Sequence, residues 1–344
     1  MKNMKTIAAL LMVSIMLLVP AGSAASAIAS SIATATDGST AEASSEAAAT
    51  GPEAVAVATS EANADDGSYA LADSQSTATS VSGVDSGASV IAVATSEANA
   101  DEESTAIATA DTDATGVALN DAGVNIYAEA GSVANAGLDG IHDDGSFAEA
   151  QSTTDVYGEA TDHSGTNVDV ASNANADAIL GSDAYAGSEV HVDALSHHYS
   201  DAEVVALSNA EANAIFLSDA SAIADLGVGV GAFEHSRVTV DESSADATSN
   251  AIGLSSADST ATGVILAGAI DHSGVDAEVQ ATSLAEAAIG SYSSADCVAG
   301  AIVLADHHSG ADVRAICVST AAALLGSDAY SDAGAGVAAL ATDH

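Results

Sequence analysis

The sequence predicts an all-β fold, a repetitive solenoid-like array of stacked β-arches or β-hairpins with about 36 residues per repeat. Three observations carry that expectation. "AVATSEANAD" occurs at 56–65 and again at 92–101, an offset of 36 residues. Histidines recur at His163, His198, His235, His272, His308 and His344, spaced by 35, 37, 37, 36 and 36. Between them polarity flips at nearly every step, as in "NVDVASNANADAI" (167–179) and "ADVRAICVSTAAAL" (311–324), the period of a strand with one buried face.

Residues 1–24, "MKNMKTIAALLMVSIMLLVPAGSA", have the three parts of a signal peptide: Lys2 and Lys5, an apolar run to Val19, then small residues. Cleavage is expected after Ala24 or Ala27. The apolar run is short for a membrane span and no second one follows, so the expectation is a secreted chain, extracellular or at the cell surface, with no membrane insertion after cleavage. Residues 25–50 are an atypical Ala/Ser/Thr-rich segment that either caps the stack or stays loose. Residues 51–344 read as one continuous β-repeat array, with a half-unit near "DDGSFAEAQ" (143–151).

Each unit carries two corners. The first is His-Ser-Gly, at His163, His272 and His308, with variants at His198 and His235. The second lies eighteen residues further on, at Gly181, Phe216, Gly253, Gly290 and Gly326, each preceded by Ile or Leu. The corners divide a unit into two strands of roughly a dozen residues. The alanine content favours helix, but the alternation, the dense Ser, Thr, Val, Asn and Gly, and the lack of Lys/Glu pairs oppose it. Closed coils and open antiparallel meanders both satisfy this pattern.

Composition narrows the function. Outside the leader only Arg237 and Arg314 stand against 49 Asp and Glu, which excludes nucleic-acid binding because nothing neutralises phosphate. Hydrophobic residues make up 48% of the chain, yet there are three Phe and no Trp, so an ordinary globular core cannot be filled. A buried methyl-sized group contributes about 0.8 kcal/mol, whereas ordering one backbone residue costs about 1–2 kcal/mol. Such thin strands hold only when stacked, with hydrogen bonds between rungs as the main cohesion.

The expected partner is a further copy of the chain. The last unit runs at full length to Asp343-His344 with no bulky or helical cap, which predicts edge-to-edge assembly into a homopolymer. Like charges one rung apart, about 4.8 Å, repel by roughly 0.9 kcal/mol in water. Ca²⁺ or Mg²⁺ is therefore expected as a structural counterion, and no other cofactor.

Chemistry-bearing residues are few. His163, His198, His235, His272 and His308, several preceded by an acid, would stack into a candidate row for metal or pH sensing, although a polar exposed turn uses the same residues. "DHSG" at 162–165 and 271–274 brings Ser, His and Asp together, but a corner repeated along the chain is architecture, and no catalytic residue and no enzyme is expected. Cys297 and Cys317 are disulfide candidates joining the last two units, with an intersubunit bridge and free thiols as alternatives.

With its signal, its near absence of Lys and Arg and its Ala/Ser/Asp-rich 36-residue units, the chain over 51–344 resembles the tubular sheath proteins of filamentous methanogenic archaea. That resemblance implies an amyloid-like extracellular casing around chains of cells. "SVIAVATSEANADEESTAIATA" (89–110) is also similar to head repeats of trimeric autotransporter adhesins, which implies a β-roll and surface attachment, though the unit here is longer and no coiled-coil stalk is seen. The expected function is a secreted structural protein that self-assembles through β-sheet edges into an extracellular sheath or fibre. The alternative is a monomeric β-solenoid surface adhesin.

Overall fold

The computed structural model describes residues 13–16, 25–36, 40–51, 53–64, 69–83, 87–100, 105–136, 147–179, 183–215, 219–254, 256–289, 292–306, 309–324 and 328–342. Nineteen strands account for nearly all of them. Sheet A contains β1 (Val13–Met16), β3 (Thr40–Thr50), β5 (Tyr69–Ser82), β7 (Thr105–Leu119), β9 (Phe147–Thr161), β11 (Asp183–His197), β13 (Asp219–Phe233), β15 (Ser256–Ile270), β17 (Tyr292–Asp306) and β19 (Asp328–Thr342). Sheet B contains β2 (Ala25–Ala35), β4 (Glu53–Ala64), β6 (Gly87–Ala100), β8 (Gly123–Ala136), β10 (Gly165–Ile179), β12 (Asp201–Ile215), β14 (Arg237–Ile252), β16 (Gly274–Ala288) and β18 (Gly310–Leu324).

Every strand pairs in parallel with the strand two places along the chain, so the chain swaps sheets at each corner. This is a closed coil. An antiparallel meander would pair consecutive strands, and among the described strands none do. The register between neighbouring coils is 36 residues through most of the stack: Glu53 lies level with Ser89, Gly165 with Asp201 and Ser256 with Tyr292.

Departures from 36 have local causes. Between β8 and β10 the offset is 42, as Gly123 faces Gly165, and β7 and β9 show the same step from Thr105 to Phe147. The expected half-unit at 143–151 is therefore corrected: Phe147 opens a full strand, and the six additional residues fall within 137–146, outside the described residues. A second departure is a bulge in β14, where Val204 pairs with Val240 but Leu207 pairs with Ser244. The backbone N–H of Ala206 meets the buried Ser243 hydroxyl there at 3.3 Å.

At the start of the array the offset is 29: Ala25 lies level with Ala54 and Thr40 with Tyr69. Residues 25–35 and 40–50 thus stack as a shortened coil. Most of the expected leader lies outside the described residues, and Val13–Met16 pair with Ser45–Ala48.

Alternation explains the core. Inward residues are almost all Ala, Val and Ser, because two sheets of small side chains interdigitate closely. The Cα atoms of Cys297 on sheet A and Cys317 on sheet B are 5.9 Å apart, against about 10 Å for ordinary stacked sheets. Where sheet B carries a larger inward group, sheet A answers with glycine. A Cβ on Gly116 would fall 2.7 Å from Ile126 Cδ1, one on Gly158 2.8 Å from Thr166 Cγ2, and one on Gly263 2.6 Å from Val279 Cγ2. β19 pairs with β17 beyond the last strand of sheet B, so Val337 on its inward row is 52% exposed.

Candidate functional site

The polar residues of this molecule form rows along the stack rather than one cleft. At the first corner the chain turns through two consecutive left-handed residues. Asp162 and His163 have φ of 55° and 64°, His198 and Tyr199 53° and 58°, Glu234 and His235 55° and 65°, Asp271 and His272 57° and 60°. This conformation costs non-glycine residues roughly 1–2 kcal/mol each. Hydrogen bonds between rungs offset it: His163 N–H donates to the His198 carbonyl at 3.0 Å, and His235 N–H to that of Asp271 at 2.9 Å.

The serine that follows is tucked inside. Ser164, Ser200, Ser236 and Ser273 are buried, and each hydroxyl accepts the backbone N–H of the rung before it: Ala122 N–H meets Ser164 Oγ at 3.3 Å, Ser164 N–H Ser200 Oγ at 3.1 Å, Ser200 N–H Ser236 Oγ at 3.3 Å. Ser236 N–H meets Ser273 Oγ, and Ser273 N–H meets Ser309 Oγ, both at 3.3 Å. The Ser273 hydroxyl also donates to the Ile270 carbonyl at 2.7 Å, closing the arc.

This corrects the histidine row. Aligned on the serines, the units run 36, 36, 37 and 36 residues apart from Ser164 to Ser309, removing the 35-to-37 jump. His198 then takes the first corner position, level with Asp162 and Glu234, and Tyr199 takes the second. The rings in line are His163, Tyr199, His235 and His272, stacked with centroids 5.3, 4.8 and 5.0 Å apart. His198 Nε2 instead lies 2.6 Å from Glu234 Oε2, both half exposed. His308, like Gly181, Gly290 and Gly326, lies outside the described residues. Among the described residues no three His, Cys, Asp or Glu side chains converge as metal ligands.

At the second corner Gly253 and Leu254 have φ of 82° and 49°, and Ile289 has φ of 64°. Gly253 N–H donates to the Ala288 carbonyl at 2.9 Å, while Ile252 is level with Ala288. Gly253 therefore stacks against Ile289.

Outer rows of sheet B manage the negative charge. Glu61 and Glu97 lie one rung apart. Asn63 Nδ2 donates to Glu61 Oε1 at 2.9 Å, and Asn99 Nδ2 donates to Glu97 Oε1 at 3.0 Å and to Asn63 Oδ1 at 2.9 Å. The ladder continues from Asn135 to Asn99 at 2.8 Å, from Asn213 to Asp177 at 2.8 Å and from Asn250 to Asn213 at 2.8 Å. The repeated "SEANA" now has a local meaning: Ser and Ala face in, while Glu and Asn face out with the amide beside the carboxylate.

On sheet A Gln151 Nε2 donates to Glu149 Oε1 at 2.6 Å, while the aspartates crowd together with threonine hydroxyls beside them. Asp113 is level with Asp155. Burial, followed by Asp155, pushes the Asp113 carboxyl above its usual range, with the Thr77 hydroxyl opposing. Asp111 is raised by burial, then by Asp73, Asp113 and Asp155, and Asp73 by burial and then Glu42.

The centre of the core holds facing hydroxyl pairs. Ser74 and Ser96 are 2.8 Å apart, Ser152 and Ser172 2.7 Å, Ser188 and Ser208 2.9 Å, and Ser259 and Ser283 2.6 Å. Cys297 and Cys317 are disulfide-bonded with S–S 2.13 Å within one chain, joining β17 to β18. The depressions are shallow. One of about 680 Å³ runs along the outer face of sheet B past Thr59, Glu61, Glu97, Asn173, Asn209 and Glu211.

Fold and rows together define a two-sheet parallel β-solenoid whose polar groups serve ladders between coils, an architecture that fits a structural or surface protein. No family model, curated protein or solved structure matches the chain.

Proposed function

We propose that this chain is a secreted structural protein that joins to further copies of itself through its β-sheet edges, building an extracellular sheath or fibre of the functional-amyloid kind that the sheath-protein resemblance suggests. The observation that carries the reading is the constancy of the cross-section. Fifteen-residue strands repeat in parallel register from β9 to β13 and from β15 to β19, so either edge of such a coil offers the ladder that each interior coil offers its neighbour. The ladders of serine, asparagine and backbone are all interactions that strengthen by adding rungs. The reading assigns no catalysis.

Two features support the rest of the proposal. A disulfide suits an oxidising exterior, and a chain almost free of Lys and Arg offers few tryptic sites there. Stacked carboxylates such as Asp113 and Asp155 suit Ca²⁺ or Mg²⁺ acting as a counterion between rungs.

Electron microscopy and fibre diffraction of the mature protein test the assembly. Expected are unbranched fibres or tubes with a reflection near 4.8 Å along the long axis, loosened by chelator. Dispersed single chains at high concentration, with or without calcium, refute it. That outcome would favour the monomeric adhesin, for which the shallow axial depression of sheet B is the available binding face.

A further inference from the structure

We infer that copies of this chain join head to tail through a half-coil step, with β2 of one copy docked beside β18 of another. There β2 lies over the inward face of that copy's β19, and β3 takes the free edge of β19. The inference rests on the stacking reading and specifies its joint. Sheet A runs one strand past sheet B: β19 pairs with β17, and among the described strands none pairs with β18 on its far side. The inward row of β19 is left open there, with Val337 52% exposed. At the other end the order is reversed, and in a chain without residues 1–24 the first strand, β2, belongs to sheet B. The two ends are the two halves of one coil.

Register carries the fit. Followed along sheet B, the row of Ala25 on β2 is that of Val313 on β18, the row of Ile28 that of Ile316, and the row of Ser31 that of Ser319. Ile28 and Ile316 are both exposed on the outer face, and the joint sets one against the other. Across the core, Ser259 and Ser283 meet at 2.6 Å. Ser331 lies in the row of Ser259 and Ser31 in that of Ser283, so the same step brings Ser31 of one copy to Ser331 of the next. Within one copy the Ser31 hydroxyl is buried and has no hydrogen-bond partner among the described residues. On sheet A, Val13–Met16 lie against β2 and pair in parallel with Ser45–Ala48 from the side that β19 would take. That edge accepts a strand, and the expected cleavage after Ala24 would vacate the place.

Charge selects the occupant. Over these rows β2 carries no charged residue, and β18 from Val313 to Ala323 carries only Arg314. Every strand of sheet B between them carries a carboxylate, from Glu61 on β4 to Glu286 on β16. In a chain of net charge −45, β2 and β18 are therefore the two strands of this sheet that meet without carboxylates. On sheet A the joint sets Glu42 beside Tyr330, Ser44 beside Asp332 and Glu46 beside Gly334. No carboxylate meets another there, although inside the stack Glu189 is level with Asp225 and Asp296 with Asp332. A contact of one end on the other repeats into a filament.

The test uses the mature full-length chain under fibre-forming conditions. Residues 31 and 331 lie at opposite ends of one stack, so a disulfide between them forms only between copies. A Ser31→Cys/Ser331→Cys variant, assembled and then oxidised, is expected to run on non-reducing gels as a ladder of whole-chain multiples. An Ile32→Cys/Ser331→Cys control, with the first sulfur on the outer face, is expected to stay at single-chain mass. A second variant, Ile28→Asp/Ile316→Asp, changes only exposed side chains and sets two carboxylates face to face at the joint. It is expected to lose its fibres while keeping wild-type strand content by circular dichroism, and Ile28→Lys/Ile316→Asp to regain them. Where the cysteine variant loses strand content, the aspartate variant decides. Fibres that oxidise without a ladder, a control ladder equal to the first, or fibres undisturbed by Ile28→Asp/Ile316→Asp overturn this joint and leave stacking by another one standing. A wild-type chain that forms no fibres sinks the stacking proposal, and this inference with it.

Discussion

The hydroxyls of Ser188 and Ser208 meet at 2.9 Å across the core, and three coils further on Cys297 and Cys317 occupy the same two rows at the same separation of 20 residues. The disulfide is thus the covalent form of a contact the stack makes repeatedly with serine. Its place follows from the closed coil, which brings those rows face to face.

Replacing both cysteines by serine should recreate the hydroxyl pair but free the loop. A loop of this length constrains the unfolded chain by about 3 kcal/mol, so a loss of about 2–3 kcal/mol is expected in the coils of β17 and β18. Hydrogen exchange should report faster exchange there and no change at β5–β9. Uniform loss along the stack would contradict a local role.

Ser188→Ala alone leaves Ser208 buried with one partner fewer and should cost about 1–3 kcal/mol. Ser188→Ala with Ser208→Ala should cost less than twice the single change, since two methyl groups replace two satisfied hydroxyls. Denaturant titration of the single and double variants measures the coupling.

Gly158 admits the Thr166 and Val168 methyls, which would lie 2.8 and 3.0 Å from an added Cβ. Gly158→Ala should therefore destabilise by about 1–3 kcal/mol through overpacking. Adding Val168→Ala should return part of that loss. The melting temperatures of the three chains decide.

Asp73, Asp111, Asp113 and Asp258 all bind protons more tightly in the folded stack than the ordinary carboxylate value of 3.8. A raised folded-state pKa gives stability that is fully present below that value and lost as pH rises through the folded one. The stack should therefore be more resistant to denaturant near pH 4 than at neutrality. Stability rising from pH 4 to 7 would contradict the crowding described here.

Tyr127, through its hydrogen bond to Glu129 and then burial, and Tyr157, through burial and then its bond to Glu159, are pushed up to about 12. Burial also raises Tyr69 and Tyr185, so ultraviolet titration should resolve a late-ionising group that includes these four of the seven tyrosines. Glu129→Gln should bring Tyr127 down without moving Tyr157.

The repeat and the inward alternation were legible from residues such as Ser60, Glu61 and Asn63, because period-two polarity needs no knowledge of what lies across the core. The corners were half legible. His163 and Ser164 marked the place, but Tyr199 was missed because histidine spacing was followed instead of the buried serine. Asn99 and Glu97 showed no sign of their shared hydrogen bonds until two rungs lay side by side.

The sequence by itself determined the period, the small-residue core and the acidic surface, since each is a property of composition and local order. Tertiary structure decided the parallel closed coil, the 20-residue pairing of Ser152 with Ser172 and of Cys297 with Cys317, and the gathering of Leu266, Ile302 and Leu340 on one face. The reason is geometric: those neighbours are 20 to 42 residues apart in the chain, and only the choice of which strand lies beside which brings them within a few ångströms.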